Sequence, residues 1–280
     1  MSKSDITVII PTYNKCLYLD VVLLSIVKFV PDIKIIIVDD GSIDATLSVV
    51  KKYQKYIDIR YLFQPNKGLA SARNLGLRSA KSKNVLFLDD DRFFLQDIFD
   101  NLMFDEKQVI IGVRKELYFS KFESFQKDLK IIIDANPKSL LNKALYERYY
   151  RKTISVLTEE KNAIPWVACS FACTLISRDL LLEAGGFDEK ITGWGFEDLE
   201  MAYRLWLIEP SLRIDSRESL TNYHIHHSHG KDLIKSREKN YKYFLSKHDD
   251  YAVRLFDCFS KNKIDIQTYN KMVLENSNKD

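Results

Sequence analysis

Hydrophobic positions fall in short, nearly continuous runs that end on polar loops. Ile6 to Ile10 stops on Pro11-Thr12-Tyr13-Asn14, Lys34 to Val38 on Asp39-Asp40-Gly41-Ser42, Ile59 to Phe63 on Pro65-Asn66-Lys67-Gly68, and Val85 to Leu88 on Asp89-Asp90-Asp91. Runs of this length and β-branched content predict buried strands. Between them the apolar spacing becomes helical: Leu17 to Phe29, a segment to about Tyr56 that Ser42 or Asp44 can cap, and about Leu69 to Ala80. Strands alternating with helices predict βαβ units, a parallel sheet and an α/β fold.

The second half is less regular. Val109 to Val113 and Ala172 to Ser177 predict strands, and Phe119 to about Leu157 predicts a mostly helical stretch. A short helix over Arg178 to Ala184 ends on Gly185-Gly186, and Glu197 to Leu207 is amphipathic, with Leu199, Ala202, Tyr203 and Trp206 on one face. From Lys231 onward the chain is Lys-rich and helical in character, with a frayed end from Glu275. The pattern divides the chain into a domain over 1–230, with halves 1–113 and 114–230, and a helical extension over 231–280.

Composition narrows the class. The chain has 280 residues, 46% hydrophobic and 29% charged, enough to bury a full core. A net charge of +3 gives no bulk electrostatic case for nucleic acid or a membrane surface as partner. Cys16, Cys169, Cys173 and Cys258 lack metal spacing and read as reduced thiols of a cytosolic protein. No signal peptide opens the chain, and the most apolar stretch, Val21 to Val38, is broken by Lys28, Pro31, Asp32 and Lys34, which rules out a bilayer span. The expectation is a soluble, cytoplasmic protein that can work at the inner face of a membrane on a lipid-linked substrate.

Four specialised loops at one edge of a sheet describe a pocket. Tyr13 can stack on a base, and Asp39 or Asp40 can accept from a base N–H or ribose hydroxyls. Lys67 and Arg73 offer positive charge to a diphosphate, although Arg73 alone also fits a surface salt bridge. Asp89 and Asp91 can converge on a hard cation, Mg²⁺ or Mn²⁺; an acidic loop or a helix start capped by Asp90 is the plainer alternative.

Two further clusters follow. Gly193 and Gly195 flank Trp194 in a mobile loop, and Glu197 and Asp198 then open a helix whose dipole keeps them ionised. That suits a general base, while helix capping is the competing account. Tyr223 to Gly230 holds four histidines, His224, His226, His227 and His229, readable as an exposed turn or as a source of one ligand for Mn²⁺. Spacing does not choose among them.

Val8 to Asn14, Ile37 to Ser42, Asn66 to Asn74 and Phe87 to Asp91, taken in order, resemble the inverting family 2 glycosyltransferases of the GT-A fold. Gly185-Gly186-Phe187-Asp188-Glu189 and Gly193-Trp194-Gly195-Phe196-Glu197-Asp198 are similar to the same family and to galactosyltransferases and chondroitin-type synthases. The likeness runs from about Ile6 to His229. It implies that Pro11, Thr12, Tyr13, Asn14, Asp39, Asp40, Lys67, Arg73, Asp89 and Asp90 surround a nucleotide, with UDP the expected one. It implies a metal on Asp89, Asp91 and a histidine, His227 first with His226 and His229 as rivals. Asp198 matches the base, Glu197 its acceptor-binding neighbour, and Gly186 and Trp194 the sugar and acceptor sites. Phe196 departs from the pattern, standing where several galactosyltransferases carry Gly, and 114–164 matches nothing named.

The implied activity is metal-dependent inverting transfer from a UDP-sugar to a glycan or glycoconjugate hydroxyl. The alternatives are a retaining transferase on the same fold and a sugar-nucleotide-binding protein without transferase activity. A sugar-nucleotide pyrophosphorylase would show an early Gly-rich basic loop, and Pro11-Thr12-Tyr13-Asn14 is not one.

Overall fold

The computed structural model describes residues 2–100, 102–146, 148–227 and 233–277. The first half alternates as predicted: β1 (Ile6–Thr12), α1 (Cys16–Phe29), β2 (Lys34–Asp39), α2 (Thr46–Tyr53), β3 (Ile59–Phe63), α3 (Leu69–Ser79) and β4 (Asn84–Leu88). Helix α2 begins after Asp44, whose carboxylate accepts the Thr46 N–H at 3.0 Å. There follow β5 (Arg92–Phe93), β6 (Gln108–Leu117), α4 (Phe122–Ala135), β7 (Leu145–Tyr146), α5 (Arg148–Ile154), β8 (Cys173–Ser177), α6 (Arg178–Glu183), α7 (Glu197–Ile208) and β9 (Arg213–Ile225). Helices α8 (Leu233–Lys247), α9 (Tyr251–Ser260) and α10 (Ile266–Ser277) complete the described chain. Among the described residues no helix is long and apolar enough to cross a membrane.

Strand order is β3-β2-β1-β4-β8-β6-β9-β5, with β7 beside β6. Strands β1 to β4 are parallel, and β8 pairs antiparallel with β4 and β6. Strands β6 and β9 therefore run with the first four, and the sheet is mostly parallel. Successive strand residues face opposite sides, so two cores form. Ile9, Val38, Phe87 and Ile176 pack with α3 and α7 to α10, while Val8, Ile37, Leu86 and Leu175 pack with α1, α2 and α4.

The stretch from Phe119 to Leu157 is mostly helical, as expected, but in pieces: α4 stops at Ala135, because Pro137 disfavours helical backbone at Asn136, and a 3-10 helix follows. One expectation changes in the second half. Arg213–Ile225 is a 13-residue strand, concealed in the sequence by its charged outer half. Its inner half lies between β6 and β5, so His224 is buried in the sheet rather than exposed in a turn. A bulge between Gly112 and Arg114 sets the register that puts Glu116 opposite His224.

Candidate active site

The carboxyl ends of β1, β2 and β4, the turn before α3 and the start of α7 border one cleft of about 970 Å³. Pro11, Thr12, Tyr13, Asp40, Arg73, Asp89, Asp90, Asp91, Trp194, Glu197, Asp198 and His227 line it; Asn14, Asp39, Lys67 and Gly186 do not.

Tyr13 is 48% exposed at the mouth. The Thr12 hydroxyl donates to Asp90 Oδ2 at 2.7 Å. Asn14 (φ 53°) turns aside to accept the Ile43 N–H at 2.9 Å. Asp39 is buried, accepting from the Ser42 N–H and the Tyr61 hydroxyl, both at 2.7 Å. Asp40 reaches the cleft instead, held by the Lys67 and Gly68 N–H groups at 2.8 Å. The Lys67 side chain is exposed, and its backbone is what shapes the site. Gly186 (φ 73°) does structural work, since a Cβ there would stand 2.6 Å from Asn74 Oδ1, the acceptor of the Phe187 N–H.

Arg73 is neither a surface ion pair nor a free cation. It is 1% exposed and donates to Asp198 Oδ1 at 2.7 Å and to Asp89 Oδ1 at 3.1 Å, with Glu197 Oε1 at 3.4 Å. A buried guanidinium without such partners would be very costly. Burial opposes its charge, but the fields of Asp198, Asp89 and Glu197 prevail and raise its pKa above the ordinary value. Burial also pushes Glu197 up to about 7, assisted by Asp198 and opposed by Arg73. Asp198 is raised by burial as well, against the pull of Arg73. Its other oxygen, Oδ2, accepts the Phe171 N–H at 3.2 Å and lies 3.4 Å from the Ser170 hydroxyl.

The acidic triplet divides by direction. Asp89 faces Arg73, with Arg92 Nε at 3.8 Å. Asp90 bonds Thr12, and burial pushes it up to about 7. Asp91 turns to the histidines, with His227 Nε2 2.9 Å from Oδ2 and His224 Nε2 3.6 Å from Oδ1. Burial alone would raise Asp91, but hydrogen bonds from His224 and His227 and the charge of Lys15 hold it well below the usual carboxylate range. Two overlapping sets could hold a divalent cation, Glu116, His224 and His226 in one and Asp91, His224 and His227 in the other, the ligand atoms of each within 4.8 Å of one another; the second is the set that draws on the acidic triplet. Asp89 is part of neither, and His229 lies outside the described residues. Glu116 Oε2 is 2.7 Å from His224 Nδ1, which leaves Nε2 directed at Asp91 and marks the set as a fit for an ion. Lys15 Nζ, 2.7 Å from Asp91 and 2.8 Å from His227, would have to yield or share those donors.

The tryptophan loop is tied down rather than loose. The Trp194 N–H donates to Ser236 Oγ at 2.8 Å. The buried Asn240 carboxamide donates to the carbonyls of Thr192 (3.0 Å), Trp194 (3.2 Å) and Gly195 (2.9 Å). Both tethers come from α8, so the carboxyl-terminal helices belong to the site. Lys15, Glu116, Arg92 and the α8 residues are absent from the sequence reading. Lys15 alone carried a signal, as it directly follows Pro11-Thr12-Tyr13-Asn14.

An α/β sheet with acids at the end of β4 and at the start of α7 is the arrangement of the GT-A fold, and solved structures agree. S. aureus TarS 1-349 in complex with UDP-GlcNAc superposes with a TM-score of 0.57 at 18% identity, covering 85% of this chain and 63% of that one. GalNAc-T7 with UDP, GalNAc and Mn²⁺ gives 0.60 at 14% identity, covering 86% and 47%. The chain belongs to glycosyl transferase family 2, whose model matches residues 7–181; a second model, the N-terminal domain of galactosyltransferase, matches residues 164–229. The chondroitin synthase of Pasteurella multocida (strain Pm70) is 31% identical over 219 residues, which is 72% of this chain and 23% of that protein. The validoxylamine A glucosyltransferase of Streptomyces hygroscopicus subsp. jinggangensis (strain 5008) is 27% identical over 269 residues, 90% of this chain and 63% of that protein. The chain spans about a quarter of the Pasteurella synthase and under two thirds of the glucosyltransferase.

Proposed function

We propose that this protein is a metal-dependent, inverting glycosyltransferase that moves a sugar from a UDP-linked donor to a hydroxyl of a glycan or glycoconjugate. The observation that carries the reading is Asp198: a cleft-facing carboxyl, raised by burial, oriented by Phe171 and Ser170, and held beside Arg73. Such a group suits removal of an acceptor proton. The acceptor oxygen attacks the anomeric carbon from the face opposite the leaving diphosphate, the glycosidic bond to the diphosphate breaks, and Asp198 takes the hydroxyl proton. Glu197 borders the acceptor beside it.

On the donor side Tyr13 offers a face for the base, and Asp40 and Asp90 lie where a nucleoside's polar groups would fall. Asp91, His224 and His227 would hold Mn²⁺ or Mg²⁺, which when bound supplies positive charge to the departing diphosphate. The relatives' UDP-sugar and Mn²⁺ complexes support this assignment of donor and ion.

The test is a screen of nucleotide sugars for hydrolysis and transfer, with Mn²⁺ and with chelator, on wild type and Asp198→Asn. The expectation is turnover with a UDP-sugar that needs the ion and is lost in Asp198→Asn, while UDP binding persists. Near-normal transfer by that variant sinks the assignment of the base, and NMR of the product's anomeric configuration decides inversion.

A further inference from the structure

The cations of the cleft are matched, with one exception among the described residues. Lys15 meets Asp91, Arg73 meets Asp198 and Asp89, Arg92 bonds Asn222 and neighbours Asp89, and Arg114 meets Glu116. Arg237, on α8, also lines the cleft, and its recorded partner is an aromatic ring rather than a carboxylate: the guanidinium lies 5.6 Å from the centroid of Phe196. Its Cγ is 3.9 Å from where a Cβ on Gly195 would stand.

Phe196 explains why the guanidinium is held there. Its φ is +75°, a left-handed conformation unfavourable for a residue with a side chain. The ring is nonetheless 6% exposed, packed against Tyr241, Phe244 and Phe256. A bulky aromatic in glycine's conformation gives Arg237 a flat support, in the manner of a cation over a π face. Directly after Phe196 come Glu197 and Asp198, and two residues before it Trp194 is 46% exposed. An unmatched cation, a half-exposed tryptophan and the proposed base thus line the same cleft, joined by the short segment from Trp194 to Asp198.

We propose that Arg237 selects an acceptor carrying an anionic group, a carboxylate or a phosphate, next to the hydroxyl that is glycosylated. The planar guanidinium can grip either anion through two N–H groups while an acceptor ring lies on Trp194. The inference rests on the glycosyltransfer reading above and adds the charge of the acceptor to it.

Calorimetry on the full chain with UDP and Mn²⁺ tests it with three probes: a uronate-containing oligosaccharide, the same oligosaccharide with its carboxyls reduced to alcohols, and a glycerol-phosphate oligomer. Wild type is expected to bind at least one anionic probe about tenfold tighter than the neutral one, the worth of one charge-assisted contact. Arg237→Gln is expected to bring that ratio near one, and Arg237→Lys to keep part of it. The preferred anion tells carboxylate from phosphate. Equal binding of charged and neutral probes, no binding of any probe, or an unchanged ratio in Arg237→Gln overturns the proposal. So does a parallel loss of UDP affinity in both variants, which would assign Arg237 to the donor. Because UDP binding by wild type is read separately, failure of the whole site is distinguishable from failure of the charge preference.

Discussion

Arg73 Nη1 stands 2.7 Å from Asp198 Oδ1, and the same guanidinium reaches Asp89 at 3.1 Å. One buried cation therefore couples the acid that ends β4 to the acid that starts α7. Replacing Arg73 by Gln leaves one buried and two half-buried carboxylates without their shared cation. Urea unfolding should show a loss of about 3–5 kcal/mol, the usual cost of stranding buried charge. A loss under about 1 kcal/mol would show that the acids do not depend on Arg73.

Glu197 gives stability a definite slope with pH. Its pKa rises from 4.5 to about 7 on folding, chiefly by burial. The native state thus holds a proton that the unfolded chain has released between those values, and its stabilising effect is lost as pH rises through about 7. Glu197→Gln removes this term. Its melting temperature relative to wild type should be higher at pH 8 than at pH 5, by a few degrees at most. An equal difference at both values contradicts the buried, protonated carboxyl.

Glu116 Oε2 lies 2.7 Å from His224 Nδ1 and so orients the ring whose Nε2 faces Asp91. Glu116→Ala should weaken Mn²⁺ binding by about 10–100-fold, as loss of a carboxylate behind a histidine ligand does. Electron paramagnetic resonance of free Mn²⁺ measures this without turnover. Unchanged affinity would remove His224 from the ligand set.

Asn240→Asp exchanges the donating amide for an acceptor that faces three carbonyls. Hydrogen exchange at residues 193–195 should then accelerate by at least about tenfold, roughly the 1.4 kcal/mol value of a hydrogen bond. The transfer rate should fall more than UDP affinity. Exchange that stays slow would mean the loop is held by its own turn.

Much of this was legible in the chain, for identifiable reasons. Strands β1, β2 and β4 are buried on both faces apart from Lys34, so each is a nearly continuous apolar run whose end is marked by polar residues, while β3, at the edge, is partly exposed. Asp89, Asp91, Glu197 and Asp198 stand out by their order among the other motifs, since either pair alone also fits a helix start. Strand β9 did not show, since Arg213 to Glu218 carry charge and only Leu220 to Ile225 are consistently buried. The choice of His224 was equally hidden: it depends on Glu116, 108 residues away, and on a bulge that sets the register. The three acids that converge on Arg73 were hidden too, because one-dimensional spacing does not show them.

The tether from Ser236 and Asn240 has a consequence for how this protein divides. Both family segments end by residue 229, yet the helix that fixes the tryptophan loop begins at Leu233. A chain cut at 230 would keep every inherited motif and lose the wall against which they act. The two family segments and the helix that holds the tryptophan loop therefore have different ends, while the glucosyltransferase match, over 90% of this chain, extends past residue 230. Grafting residues 233–277 from another member of the family should accordingly alter which acceptor is glycosylated while the donor stays the same, a change that product analysis of the chimaera reads directly.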